Sequence, residues 1–194
     1  MKKVIYTLFA MVLMGCSSSE KPVQQENVTG VEVIIKEGDE PELGTPIMLL
    51  SSKGDTIAPM GKYGYAGELT GSDLKMVLTL EKEDKWPSRF ALIDTNGKEL
   101  DYRIFVFDNG PDDISEGMIR IVDNNGKIGY ADSLGHLVIA PQFFFAKQWK
   151  NGYGQVALDG YLQPDGEHRK VVVKEWQKID AHGNRTPSNG GDDF

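Results

Sequence analysis

The sequence predicts an all-β protein built from antiparallel β-hairpin and meander repeats. Three observations carry this reading. Short apolar segments alternate with polar residues at period two, as in "VTGVEVIIK" and "LKMVLTLEK". Turn signals rich in Gly, Asn and Asp separate them. No long stretch shows the 3.6-residue periodicity of an amphipathic helix.

The chain of 194 residues begins "MKKVIYTLFAMVLMGCSSSE". Lys2 and Lys3 form a positive segment, and residues 4–14 form an apolar run of signal-peptide length. That run is too short to span roughly 30 Å of hydrocarbon. It ends in Leu13-Met14-Gly15-Cys16, which resembles a bacterial lipoprotein signal, although Met14 is bulkier than the residue usual there. The resemblance implies that residues 1–15 are cleaved as a signal peptide and that Cys16 is lipidated. Cys16 is the one cysteine of the chain, so once acylated it leaves no thiol for a disulfide and stability must come from a core. Residues 16–27 read as the lipidated cysteine and a flexible tether with a reach on the order of 20 Å. Ser17 resembles the residue that sorts some lipoproteins to an outer membrane, so the expected address is the cell envelope, at the outer membrane.

Net charge is −8. An acidic surface disfavours nucleic acid and anionic headgroups as partners, so membrane residence depends on the acyl chains.

Residues 28–85 read as an N-terminal β region. Leu74, Met76, Leu78 and Leu80 are expected to share one strand face. Residues 52–55 suggest a hairpin turn between strands over 47–51 and 56–58.

Beyond it the chain repeats itself. "FALID" with Gly97, "IGYAD" with Gly135 and "WQKID" with Gly183 share one template, although Gln177 and Lys178 depart from it. Asp94, Asp132 and Asp180 each begin a four-residue turn, accepting a backbone N–H two residues on, while the glycine supplies φ > 0. A small residue at Gly129 or Ala91 leaves room for an adjacent strand. Ahead of the central copy lie a strand over 118–122 and Asn125-Gly126, a two-residue hairpin signal. After it a strand over 136–139 is expected to stop at Pro141. "NGYGQVAL" answers "SEGMIRIV", with Gly152 in the place of Gly117. The longer spacing to Asp180 points to an insertion over 159–170.

The central copy, Gly126-Lys127-Ile128-Gly129-Tyr130-Ala131-Asp132 followed by Val138-Ile139-Ala140-Pro141, resembles the WG-repeat family, with Ile128 where that family has Trp. The resemblance implies β-rich units over residues 86–186 that serve as scaffolds or binding surfaces, and it carries no catalytic residues. "GKYGYAG" over 61–67 is either a decayed further copy or a coincidence. Residues 187–194 read as a disordered acidic tail. Barrel closure and open stacking both stay possible.

Motifs for chemistry are missing. His136, His168 and His182 have no metal-ligand spacing, so no metal or other cofactor is expected. Asp108, Asp112, Asp113 and Glu116 cluster without an EF-hand register. No nucleophile elbow, phosphate loop or zinc-protease motif occurs. Trp149, in the polar stretch "KQWKNGYG", stands out as an aromatic with no local reason to be buried, and Tyr153 lies beside it. The expected function is a non-enzymatic, membrane-anchored module presenting a β-repeat surface to an envelope protein. The alternative is a glycan-binding or glycan-processing lipoprotein using Trp149 and Tyr153.

Overall fold

The computed structural model describes residues 30–81, 86–107 and 110–187. The signal segment, Cys16, the tether, Asp108 and the tail after Pro187 lie outside the described residues. All described regular structure is β: β1 (Val31–Ile35), β2 (Pro46–Ser51), β3 (Thr56–Tyr65), β4 (Lys75–Thr79), β5 (Phe90–Ile93), β6 (Glu99–Ile104), β7 (Met118–Val122), β8 (Ile128–Asp132), β9 (Leu137–Phe143), β10 (Phe145–Ala146), β11 (Gly154–Ala157), β12 (Gly160–Asp165), β13 (His168–Val173), β14 (Gln177–Ile179) and β15 (Arg185–Pro187).

The first nine strands form one antiparallel meander in chain order, β1 to β9. A four-stranded sheet follows in the order β10-β11-β14-β15, and β12 pairs with β13 as a separate ribbon. The backbone pairing is therefore open. The ribbon falls on the expected insertion, where it replaces the tight turn that joins β7 to β8 in the preceding unit.

One turn recurs. At Asp94, Asp123, Asp132 and Asp180 the carboxylate accepts the amides two and four residues on, at 2.8–2.9 Å. Each turn ends on a glycine with φ between 76° and 84° (Gly97, Gly126, Gly135, Gly183). Ser51 does the same with its hydroxyl, ending on Gly54. The turn at Asn125-Gly126 is thus a three-residue loop with a glycine bulge rather than the expected two-residue one. A two-residue type I′ turn needs φ > 0 at both central positions, and Asn125 does not have it.

β9 also differs from expectation, because it runs through Pro141 to Phe143. It is the last strand of the meander, and its pairing with β8 shifts register between Ile128 and Tyr130. Proline is tolerated on an edge strand at a bulge, where no ladder bond needs its missing N–H. Gly129 lets this strand pass: a β-carbon there would collide with the Ile139 carbonyl oxygen and the Pro141 nitrogen. Gly64 in "GKYGYAG" has the same job against the backbone of Gly44, but Gly61 lies inside β3 at a bulge, with no turn before it.

Successive side chains point to opposite faces of a strand, and the meander buries both. β1–β5 enclose one core with Val31, Ile47, Leu49, Val77, Ala91 and Ile93. The opposite face, from β5 to β8, encloses a second with Leu74, Leu92, Tyr102, Ile104, Ile119, Ile121 and Ala131. A third, from β8 to β14, holds Ile128, Tyr130, Phe143, Trp149, Val156 and Ile179. β4 shows the consequence. Leu74 and Met76 serve the second core as the alternation suggested, but Val77 fills the first from the other face.

Candidate binding surface

The surface is best built from one template position. Leu92, Tyr130 and Lys178 are equivalent in the three copies. Leu92 and Tyr130 are both 0% exposed, and each points into the core shared with the unit that follows. Lys178 is half-buried, and among the described residues no fourth unit follows it.

The junction between the second and third units shows what such a face receives. Phe105, Arg120 and Tyr130 form a row across neighbouring strands: Phe105 N–H donates to the Arg120 carbonyl at 3.1 Å, and Arg120 pairs with Tyr130. The extended segment 145–149 lies over this row. Phe145 packs edge-on against Phe105, with ring centroids 5.6 Å apart. Arg120 Nη1 donates to the Ala146 carbonyl at 2.9 Å, and Tyr130 Oη donates to the Lys147 carbonyl at 2.6 Å. Burial pushes the Tyr130 phenol far above its ordinary pKa, with Arg120 pulling the other way, so it acts as a neutral donor. The Asp112 carboxylate takes Arg120 from both sides, at 2.8 and 2.7 Å, and also accepts Gln148 Nε2 at 2.8 Å.

Two tight turns lock the junction. Glu116 and Gly117 both have φ > 0, as do Asn151 and Gly152, which makes each pair a two-residue type I′ turn. The Glu116 carboxylate reaches across to accept the Asn151 and Gly152 amides at 2.8 Å each, while Ser115 Oγ donates to the Trp149 carbonyl at 2.7 Å. "SEGMIRIV" and "NGYGQVAL" thus correspond in three dimensions as they do in sequence.

In the third unit the equivalent row is Lys147, Gln155 and Lys178. Lys147 N–H donates to the Gln155 carbonyl at 2.8 Å, and Gln155 pairs with Lys178. Lys147 Nζ sits 4.9 Å above the centre of the Trp176 ring, and Lys178 Nζ 4.4 Å above that of Tyr153. Lys147, Lys178, Tyr153 and Trp176 are all half-buried. Gln155, between the two lysines, is only 2% exposed.

Of the two aromatic candidates read from the sequence, Tyr153 belongs to this surface and Trp149 does not. Trp149 is 4% exposed and packs edge-on against Tyr130 at 5.1 Å. The cause is a bulge. Between the Lys147–Gln155 and Lys150–Tyr153 pairs one strand has two intervening residues and the other has one. The extra residue turns Trp149 from the outer face to the inner one. A sugar-stacking platform on Trp149 is excluded by its burial. Lys178 escapes a reading of the sequence for site residues. The one signal there is the misfit of Lys178 to a template position that is otherwise apolar or aromatic.

Among the remaining candidates, Asp113 is exposed. Asp112 and Glu116 are consumed at the junction as described. His136 Nδ1 lies 3.0 Å from the Asp132 carboxylate at the rim of a turn. His182 lies in an exposed turn, and His168 is exposed on β13. Trp86 covers Arg103, which donates to the Ser88 carbonyl at 2.9 Å. Among the described residues no group of three or more His, Cys, Asp or Glu side chains could hold a metal ion. Two depressions of about 440 and 260 Å³ are shallow and open, lined by Asp39, Glu40 and Glu42 in one and by Ser72, Asp73 and Ser133 in the other. No described helix is long and apolar enough to cross a membrane.

Compared with protein-family models, curated proteins and solved structures, the chain matches none of them.

Proposed function

We propose that this protein is a non-enzymatic cell-envelope lipoprotein, held at the outer membrane by acyl chains on Cys16, whose WG-type β-repeats form a docking module for an envelope protein. Anchoring is supported by the charged segment, short apolar run and Leu13-Met14-Gly15-Cys16 that open the chain. Two acyl chains at roughly 0.8 kcal/mol per buried CH₂ hold firmly, where one holds weakly.

Docking is supported by a single observation. The row that in the second unit receives the segment 145–149 recurs in the third unit as Lys147, Gln155 and Lys178, with both lysines half-buried. Repeat arrays bury each unit's face against the next, and a face of that kind can equally receive a different molecule. Asp112, Glu116 and Trp149 are, by contrast, occupied by the junction and by core packing.

The test is capture of tagged, full-length protein from detergent-solubilised envelopes. The reading expects repeated co-purification of one protein, lost when the terminal face is altered. Replicate captures that recover no partner count against it.

A further inference from the structure

We infer that the free edge of β1 pairs with β1 of a second copy of this chain, joining two proteins antiparallel into one continuous sheet. The inference concerns the opposite end of the strand order from the terminal row and does not rest on the docking reading.

β1 opens the nine-stranded sheet and pairs only with β2. Ser52 N–H donates to the Gly30 carbonyl at 3.1 Å. Bonding alternates along an antiparallel ladder, so Glu32 and Ile34 bond to β2. The N–H and C=O groups of Val31, Val33 and Ile35 therefore point away from it. Among the described residues no backbone hydrogen bond reaches those groups from elsewhere. Such an edge is a template for a further strand, and proteins blunt their edges with proline, charge, bulges or short length. The other edges here are blunted in those ways. β9 carries Pro141 and register shifts, β12 carries Pro164, and β15 carries Pro187. β10 has two residues, and β13 carries His168, Arg169 and Lys170 in succession. β1 has five residues, four of them Val or Ile, with no proline and no shift in its pairing.

Charge complementarity names the occupant. Two copies related by a two-fold axis pair antiparallel, and the residue on the axis sets every other pair. With Ile34 on the axis, Glu32 lies opposite Lys36 of the second copy, and Lys36 opposite its Glu32. Val33 and Ile35 then exchange backbone hydrogen bonds with Ile35 and Val33 of the second copy. Glu32, Ile34 and Lys36 take the positions between those bonds, where opposed side chains stand closest. Glu32 is half-buried and Lys36 exposed, and among the described residues neither is in an ion pair. Parallel pairing would instead set Glu32 beside Glu32 and Lys36 beside Lys36, which like charges oppose. The order of residues in β1 is thus complementary to its own reverse. A two-fold contact uses both β1 edges, and the remaining edges are blunted, so assembly stops at two copies.

The test measures the mass of the full chain in detergent by light scattering over about a hundredfold range of concentration. Wild type should pass from monomer to dimer as concentration rises, with nothing larger. Glu32→Lys and Lys36→Glu each set like charges opposite one another at both ends of the contact and should weaken the dimer at least tenfold. The double variant Glu32→Lys/Lys36→Glu restores both pairs and should dimerise like wild type, as should an equimolar mixture of the two single variants. Such rescue is something a merely structural role for either side chain would not produce. Neither side chain is buried, so the variants are expected to keep the wild-type circular dichroism. If a single variant does not, Glu32→Gln and Lys36→Gln make the same test with a smaller expected loss. Four results overturn the inference: a wild type that stays monomeric, folded single variants that dimerise as well as wild type, a double variant no tighter than the singles, or growth beyond two copies. Failure here leaves the docking reading standing, and failure of the envelope capture leaves the dimer standing.

Discussion

Gly129 and Asp132, three residues apart, show how single side chains set the geometry of a unit. Gly129 is the point where β9 crosses β8 at backbone contact. The obstacle to a β-carbon is main chain rather than a flexible side-chain tip, so the neighbour cannot yield cheaply. Gly129→Ala is expected to cost about 3 kcal/mol, read as a lower denaturant midpoint with unchanged slope. Asp132 makes a different kind of contribution. Burial pushes its carboxyl upward, but the His136 amide, the His136 ring and the Leu134 amide outweigh that and hold it below the usual carboxylate value. A depressed folded-state pKa means that the unfolded chain binds the proton more tightly. The turn's stabilisation is therefore fully present above the unfolded value of about 3.9 and is lost as pH falls through the folded one. Asp132→Asn should keep the turn at neutral pH and shift acid unfolding toward less steep pH dependence below about pH 4. Identical acid profiles for the two proteins would contradict this.

Local chemistry of this kind is legible in sequence. Asp94, Asp132 and Asp180 announce their turns because Asp-x-x-Gly closes on its own backbone. Asp123 makes the same turn but hides behind the stronger-looking Asn125-Gly126 pair. Trp149 is not legible for a physical reason. Its face depends on a bulge between 147 and 150, and that bulge exists only once the partner strand is in place. Local alternation cannot report it.

At the scale of elements, the ribbon of β12 and β13 is an addition to a unit that is complete without it. Leu158 and Glu175 occupy the places of Asp123 and Lys127, so residues 159–174 stand where the preceding unit has Asn124-Asn125-Gly126. Most of the ribbon is exposed, Tyr161 at 59%, and its main tie to the third core is Val171. Replacing residues 158–174 with Asp-Asn-Asn-Gly should leave a folded protein with the same β-rich circular dichroism and a loss of about 2 kcal/mol for the exposed Val171 contact. Loss of cooperative unfolding would show instead that the ribbon is integral to the third unit. The existence and placement of this insertion follow from the unequal Asp spacing. The course of β9 through Pro141 does not, because whether a proline ends a strand depends on whether that position owes a hydrogen bond to a neighbour.

At the scale of the molecule, the all-β meander is readable from period-two alternation and recurrent turns. The alternation of three cores between the two faces of one sheet is not. A strand buried on both faces, such as β4 or β8, reads in sequence much like one with a single apolar face and a few extra apolar residues. The terminal surface is a whole-molecule property as well. Lys178 becomes meaningful only against Leu92 and Tyr130, the residues that each receive a following unit. Placing that surface at an envelope depends on Cys16. The measurement to make is intact mass together with detergent partitioning of the native protein beside Cys16→Ser. An acylated mass and partition into detergent for wild type, both lost in Cys16→Ser, is the expected result. A wild-type protein of unmodified mass that stays in the aqueous phase would contradict the anchored docking module at its foundation.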